Sequence, residues 1–229
     1  MIRLPLVLAA AILLIATACG GDGGADVGDV DALALLQTSA AAMDAVESFH
    51  FEVEHEGGVT EIVRGLGMNR AEGDVVGDDR MRLQVEARFA MTNVEVGIVV
   101  LPGQSFLSNP ITGRWEEEEI DISDLFDPAA GVTGIMREVT TAEAVDREDI
   151  DGREMVVLEA TVDSTHLEPF VSNAEPGQPV VCRVWIAVDD SLVYRLEARG
   201  AVAPADSEGM VRRINLSAFN EPVEITAPD

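Results

Sequence analysis

The chain has 229 residues, of which 42 are acidic and 15 basic, for a net charge of −27. So negative a surface repels phosphates and anionic headgroups, which excludes electrostatic binding to nucleic acid or to an anionic membrane face. Hydrophobic residues make up 47 %, yet only seven Phe, two Trp and one Tyr are among them, so the core must be aliphatic and rich in valine, a composition that favours strands.

Arg3 is followed by an apolar run from Leu4 to Ala18. At about fifteen residues the run is shorter than the ~20 that a membrane-spanning helix needs. A basic start, an apolar centre and a small-residue exit describe a secretory signal peptide over residues 1–18. Ala16-Thr17-Ala18-Cys19 resembles a bacterial lipobox, in which Cys19 takes a lipid and becomes the new N-terminus; ordinary cleavage nearby is the alternative. Lipidation at Cys19 would leave Cys182 without a disulfide partner, so stability must come from the core. About 210 residues remain, enough for one good-sized core. Residues 19–30 are rich in Gly and Asp and read as a flexible tether, with the domain at 31–229.

A helix is expected from Asp31, capped by Asp29 or Asp31, with Leu36, Met43 and Val46 at near-helical spacing and an end near Glu47. Phe49, Phe51 and Val53 then alternate with polar residues as in a half-buried strand. The same alternation places Met81, Leu83, Val85, Ala87 and Phe89 on one face of a strand, and Val94, Val96, Ile98 and Val100 on one face of the next. Pro102-Gly103 makes a turn before a short strand from Phe106, and Trp115 opens another ahead of the acidic run Glu116–Glu119. Between Leu125 and Glu138 the period changes to helical, with Pro128 in the first turn and Val132, Ile135 and Met136 on the apolar face.

Asp151-Gly152, between Ala144–Ile150 and Arg153–Val162, is a strong hairpin signal. A short helix is expected over Ser164–Asn173. Val180, Cys182, Val184, Ile186 and Val188 share a strand face, as do Leu192, Tyr194, Leu196 and Ala198 after a turn at Asp189-Asp190-Ser191. A last strand runs from about Val211 to Phe219. Hairpin-length connections and many more strands than helices predict an α+β fold, a single domain built on an antiparallel sheet.

Catalytic and metal motifs are weak. Gly103-Gln104-Ser105-Phe106-Leu107 lacks the last glycine of a nucleophile elbow. His50, His55 and His166 have no metal-motif spacing. Arg147–Gly152 begins like a calcium loop, but Leu158 stands where a bidentate acid belongs. Glu116–Glu119 reads as a solvated strand edge, and Cys182 as a buried thiol. No enzyme, cofactor or metal is expected.

Several stretches, in matching order, resemble the LppX/LprAFG lipoprotein family: SAAAMDAVESFHFEVEHEG within Leu35–Gly57, NPITGRW at Asn109–Trp115, LFDPAAGVTGIM at Leu125–Met136, VWIAVDDSLVYRLEARG at Val184–Gly200 and LSAFNEPVEITAP at Leu216–Pro228. The resemblance implies a curved antiparallel half-barrel with helices on its concave face, the architecture shared by the lipoprotein carriers LolA and LolB. It further implies an apolar cavity that takes acyl chains of a lipid or glycolipid, in a protein anchored to the outer face of the cytoplasmic membrane. Under that implication the lipid-facing residues are Leu83, Val85 and Phe89, then Val94, Val96, Ile98 and Val100. Ile135 and Met136 face it from the second helix, and Val184, Ile186 and Leu196 from the late strands. The competing expectation is a non-catalytic structural or adhesion module of the envelope, with a filled core and a protein partner.

Overall fold

The structure, a computed structural model, describes residues 27–62, 65–89, 91–120, 132–168, 170–171 and 173–228. The expected leader, Cys19 and most of the expected tether lie outside the described residues, as do Pro128 and its neighbours.

Helix α1 (Ala32–Met43) is capped by Asp31, whose carboxylate accepts from the Ala34 amide at 3.0 Å. Of the two candidate caps, Asp31 is the one used. Ala32, Leu36, Ser39, Ala40 and Met43 form its buried stripe. The helix stops short of Glu47 because the amides of Ala45 and Val46 turn back to Ala42 and Met43, closing tighter i−3 bonds.

Among the described residues twelve strands make one sheet: β1 (Ser48–Glu56), β2 (Thr60–Glu61), β3 (Gly67–Val76), β4 (Arg80–Phe89), β5 (Thr92–Leu101), β6 (Gln104–Ser108), β7 (Trp115–Glu117), β8 (Glu143–Ile150), β9 (Arg153–Asp163), β10 (Pro179–Ala187), β11 (Val193–Arg199) and β12 (Val211–Ser217). The order is β7-β6-β5-β4-β3-β1-β12-β11-β10-β9-β8, with β2 beside β3. Hairpins build two halves, β3–β7 and β8–β12, and β1 joins them by pairing antiparallel with β3 on one side and β12 on the other. Helix α2 (Val132–Glu138) lies in the connection between the halves, and its Arg137 pairs with Asp44 at the end of α1.

The edge strands β7 and β8 carry Glu116, Glu117, Glu143, Asp146, Arg147, Glu148 and Asp149. Charges at the rims oppose pairing of one sheet with another copy. The β8–β9 hairpin closes through Asp151 (φ 54°) and Gly152 (φ 83°), the two left-handed residues of a type I′ turn. Asp149, a would-be calcium ligand, accepts from the Gly152 amide at 2.8 Å instead.

One large apolar cluster joins α1 and α2 to alternate residues of β1, β3, β4, β5, β9, β10, β11 and β12. A second gathers Ile135, Leu167, Val171, Val180, Cys182 and Ala198. A third, not foreseen from the sequence, packs Met155, Val157, Trp185 and Ala187 on the opposite face of the sheet. Trp185 donates to Glu148 there at 2.9 Å and lies under the Arg195 guanidinium.

Three expectations are corrected. The short helix expected over Ser164–Asn173 is reduced to a 3-10 turn at Ser164–Leu167, capped by the Asp163 carboxylate; after it the amides of Phe170 and Val171 turn back to the Leu167 carbonyl at 2.9 Å, and residues 169 and 172 lie outside the described residues. Tyr194 does not share a face with Leu196. A register shift at Trp185/Ile186 leaves Tyr194 as an extra residue on β11 and sends its ring to the Trp185 side. Val188 falls in the turn after β10 and is exposed.

Candidate functional site

Alternation along β1 turns Phe51, Val53 and His55 to the same side, and along β12 it turns Arg212, Ile214 and Leu216 there. These two strands are neighbours, and His55 sits directly opposite Arg212 in the register. The sheet thus places two ionisable side chains within an otherwise aliphatic face.

An apolar cavity of about 50 Å³ opens beside them. Its sheet wall includes Phe51, Met68, Ala71, Met81, Leu83 and Ile214, and Leu167, Phe170 and Val171 close it from the 3-10 turn. His55, Thr60 and Arg212 form its polar end. A smaller cavity, about 20 Å³, lies between the helices and β9–β11, bordered by Leu36, Ile135, Met136, Leu158 and Val184. Leu196 borders both.

The polar end has a definite hydrogen-bond direction. The Asn69 carbonyl, 3.0 Å from His55 Nδ1, can only accept, so Nδ1 carries the proton. Nε2 is then an acceptor, and Thr60 Oγ1 donates to it at 2.8 Å. Thr60 Oγ1 in turn accepts from Arg212 Nε at 3.0 Å. Arg212 Nη2 donates to Asp206 Oδ2 at 2.7 Å, a pair whose side chains are only 7 % and 3 % exposed. Asp206 is itself held by the amides of Val202 and Ala203. Burial pushes the His55 imidazole below its ordinary value, the Asn69 bond opposes this, and the Arg212 charge adds to the lowering. Neutral His55 is what the relay requires. Arg212 Nη1 is buried and has no hydrogen-bond partner among the described residues.

Of the residues expected to face lipid, Leu83 and Leu196 border the main cavity, and Ile135, Met136, Val184 and Leu196 the smaller one. Val85, Val96, Ile98, Val100 and Ile186 lie in the packed cluster around them, with Val94 partly buried against it. Phe89 is 46 % exposed at the end of β4. His55, Thr60, Asp206 and Arg212 were not singled out from the sequence as a binding group. The available signal was parity: Arg212 has the same strand phase as Ile214 and Leu216, so a charge there must point inward.

The other motif candidates are spent on structure. Ser105 donates to the Glu118 carbonyl and accepts from the Ile120 amide at 3.0 Å. His50 and Arg82 both bind Asp74, a cross-strand ladder on the exposed side of β1, β3 and β4. Burial pushes the Asp74 carboxyl up, but those two hydrogen bonds outweigh it and hold the group below its ordinary range. Cys182 is 3 % exposed, and burial lifts its thiol to about 12, where the thiolate is unavailable at neutral pH. No trio of His, Cys, Asp or Glu among the described residues could hold a metal. No described helix is long and apolar enough to cross a membrane.

Fold and site together define an open antiparallel sheet protein with a buried apolar pocket and no assembled catalytic group among the described residues. Residues 31–225 match the model of the LppX_LprAFG lipoproteins, and the chain belongs to that family. It is similar to the lipoarabinomannan carrier protein LprG of Mycolicibacterium smegmatis, 24 % identical over 97 % of this chain and 93 % of the relative. In fold it matches the crystal structure of LprF from Mycobacterium bovis, at a TM-score of 0.66 and 18 % identity over 86 % of this chain and 96 % of that one. The crystal structure of LppX from Mycobacterium tuberculosis gives 0.62 and 20 % over 87 % and 100 %.

Proposed function

We propose that this protein is an envelope lipoprotein that holds the acyl chains of a lipid or glycolipid between its sheet and helices and carries or shields them outside the cytoplasmic membrane. The observation that carries the reading is the largely apolar lining of the two cavities, in a chain whose relative LprG is named as a lipoarabinomannan carrier. In this reading the sheet curves into a half-barrel around α1 and α2. Support comes from the main cavity, which is bordered both by Met81 and Leu83 of β4 and by Leu196 and Ala198 of β11, four strand intervals apart in the sheet order. At ~4.8 Å per interval they would lie roughly 19 Å apart in a flat sheet.

The cavity must widen to take a chain. Its 50 Å³ is a third of the ~150 Å³ that holds benzene in an engineered cavity. Displacing Leu167, Phe170 and Val171 from the sheet enlarges the main cavity, and turning Leu196 joins it to the smaller one. Val85, Val94, Val96, Ile98, Val100 and Ile186 would then become lining, with Phe89 at the rim. Burying each methylene contributes ~0.8 kcal/mol, so even a partly enclosed chain offsets a modest cost of opening. Acylated Cys19 and the tether would hold the domain at the outer face of the membrane, and intact mass of the detergent-extracted protein should show the added acyl groups on that residue.

Carrying is tested by transfer of a pyrene-labelled diacyl lipid between vesicles. The rate should rise in proportion to protein at substoichiometric amounts, and a rate independent of protein would contradict it. The small size of the cavity favours one second reading, a filled-core module of the envelope that binds a protein partner.

A further inference from the structure

We propose that Arg212 Nη1 is the fixed polar contact of the binding cavity, and that it selects ligands presenting a neutral carbonyl oxygen, such as the ester carbonyl of an O-acylated lipid, beside an apolar chain. The inference rests on the lipid-binding reading above and names the chemistry of the ligand.

The guanidinium is planar and offers donors on three nitrogens. Two of them are committed here: Nε donates to Thr60 Oγ1 at 3.0 Å and Nη2 to Asp206 Oδ2 at 2.7 Å. Both partners are themselves held, Thr60 through His55 and Asp206 through two backbone amides. The plane is therefore locked, and Nη1 is left on its remaining edge. That nitrogen is buried with no partner among the described residues, in a side chain that borders the cavity. An unpaired donor in apolar surroundings is costly, and a ligand oxygen that meets it removes the cost on binding.

Charge decides which oxygen. The Arg212 cation is already neutralised by Asp206, which is as deeply buried. His55 is held neutral, and Thr60 is uncharged. Among the described residues no unmatched positive charge remains at the site to balance a carboxylate or a phosphate monoester, and Asp206 would repel either. A carbonyl oxygen, which stands out from the chain, accepts the bond without bringing a second anion. The remainder of the wall, Phe51, Met81, Leu83, Leu196 and Ile214, then meets hydrocarbon.

The rival is an ordered water on Nη1, for which the cavity has room. The test compares binding of 1,2-dioctanoylglycerol with its di-O-octyl ether analogue, which lacks the carbonyls, to the full-length protein by calorimetry. The ester should bind tighter by about ten- to a hundredfold, the worth of one hydrogen bond to a charged donor. Arg212→Lys keeps a cation for Asp206 but loses the fork, and its preference should fall to about twofold or less. Equal binding of ester and ether by the parent protein would overturn the assignment while leaving lipid binding standing. Tighter binding of dioctanoyl phosphatidate than of the neutral ester would overturn it in favour of an anion site. Failure of the parent to bind any of the three would overturn the lipid-binding reading and this inference with it. The ester–ether comparison uses the unaltered protein, so it decides even if Arg212→Lys does not fold.

Discussion

Burial sets the protonation state of His55, and this gives stability a pH dependence of known sign. The ordinary value of the imidazole is 6.5, and in the fold it is lower. Between the lowered value and 6.5 the unfolded chain binds more protons than the folded one, so stability rises with pH across that window. The contribution is fully present above 6.5 and is lost as pH falls through the folded value. His55→Gln cannot titrate, so its urea midpoint should drop less than that of the parent between pH about 7.5 and about 5. Equal drops would contradict the burial of this ring. Ser39 offers a second test at this scale. Its hydroxyl is buried in the sheet-facing stripe of α1 without a partner among the described residues. Ser39→Ala removes an unsatisfied group and improves helix propensity, so it should stabilise by about 1 kcal/mol in chemical denaturation. A loss of stability would mean the hydroxyl has a partner after all.

Elements whose inward residues are large were legible from the sequence. Strand β4 follows strict alternation from Met81 to Ala87, and the Asp151-Gly152 turn fell where its chemistry required. Strand β3 was missed because its inward positions beyond the register shift at Met68/Arg70 are Ala71, Gly73 and Val75, of which the first two are too small to produce an apolar signal and leave Val75 alone. Gly73 has a steric cause: a Cβ there would stand 2.2 Å from the Arg82 carbonyl oxygen and 2.7 Å from the Leu83 Cβ on the paired strand. Backbone cannot yield as a side-chain tip can, so Gly73→Ala should cost about 1–3 kcal/mol, read as a lower denaturation midpoint. An unchanged midpoint would show that the β3–β4 approach is looser than described. Tyr194 was misplaced for a different reason. Alternation counts residues, and an inserted one at a register shift reverses the faces beyond it without any mark in composition.

For the molecule as a whole, the antiparallel class and the family were readable, because they depend on local patterns and on the order of motifs. The cavity was not. Its polar end is made by β1 and β12, from opposite ends of the chain, and only their pairing brings His55 against Arg212. Of the residues that the resemblance implied as lipid-facing, Leu83, Ile135, Met136, Val184 and Leu196 border the cavities while Val85, Val96, Ile98, Val100 and Ile186 lie packed around them, since parity gives a face and not a depth. Ala71 separates a cavity from a filled core at this scale. It borders the space, so Ala71→Trp should lower bound lipid, whereas Glu95→Trp on the exposed register of β5 should not. Equal lipid content in the two variants would place the ligand elsewhere.

The central claim is that this interior accommodates acyl chains, and the organic extract of the protein purified from its native host tests it most directly. Mass spectrometry of that extract, normalised to protein, should find an acylated lipid at close to one per chain, beyond any acyl group covalently attached to the protein. Protein that is folded, native in its source and free of non-covalent lipid would contradict the account and leave a filled-core module in its place.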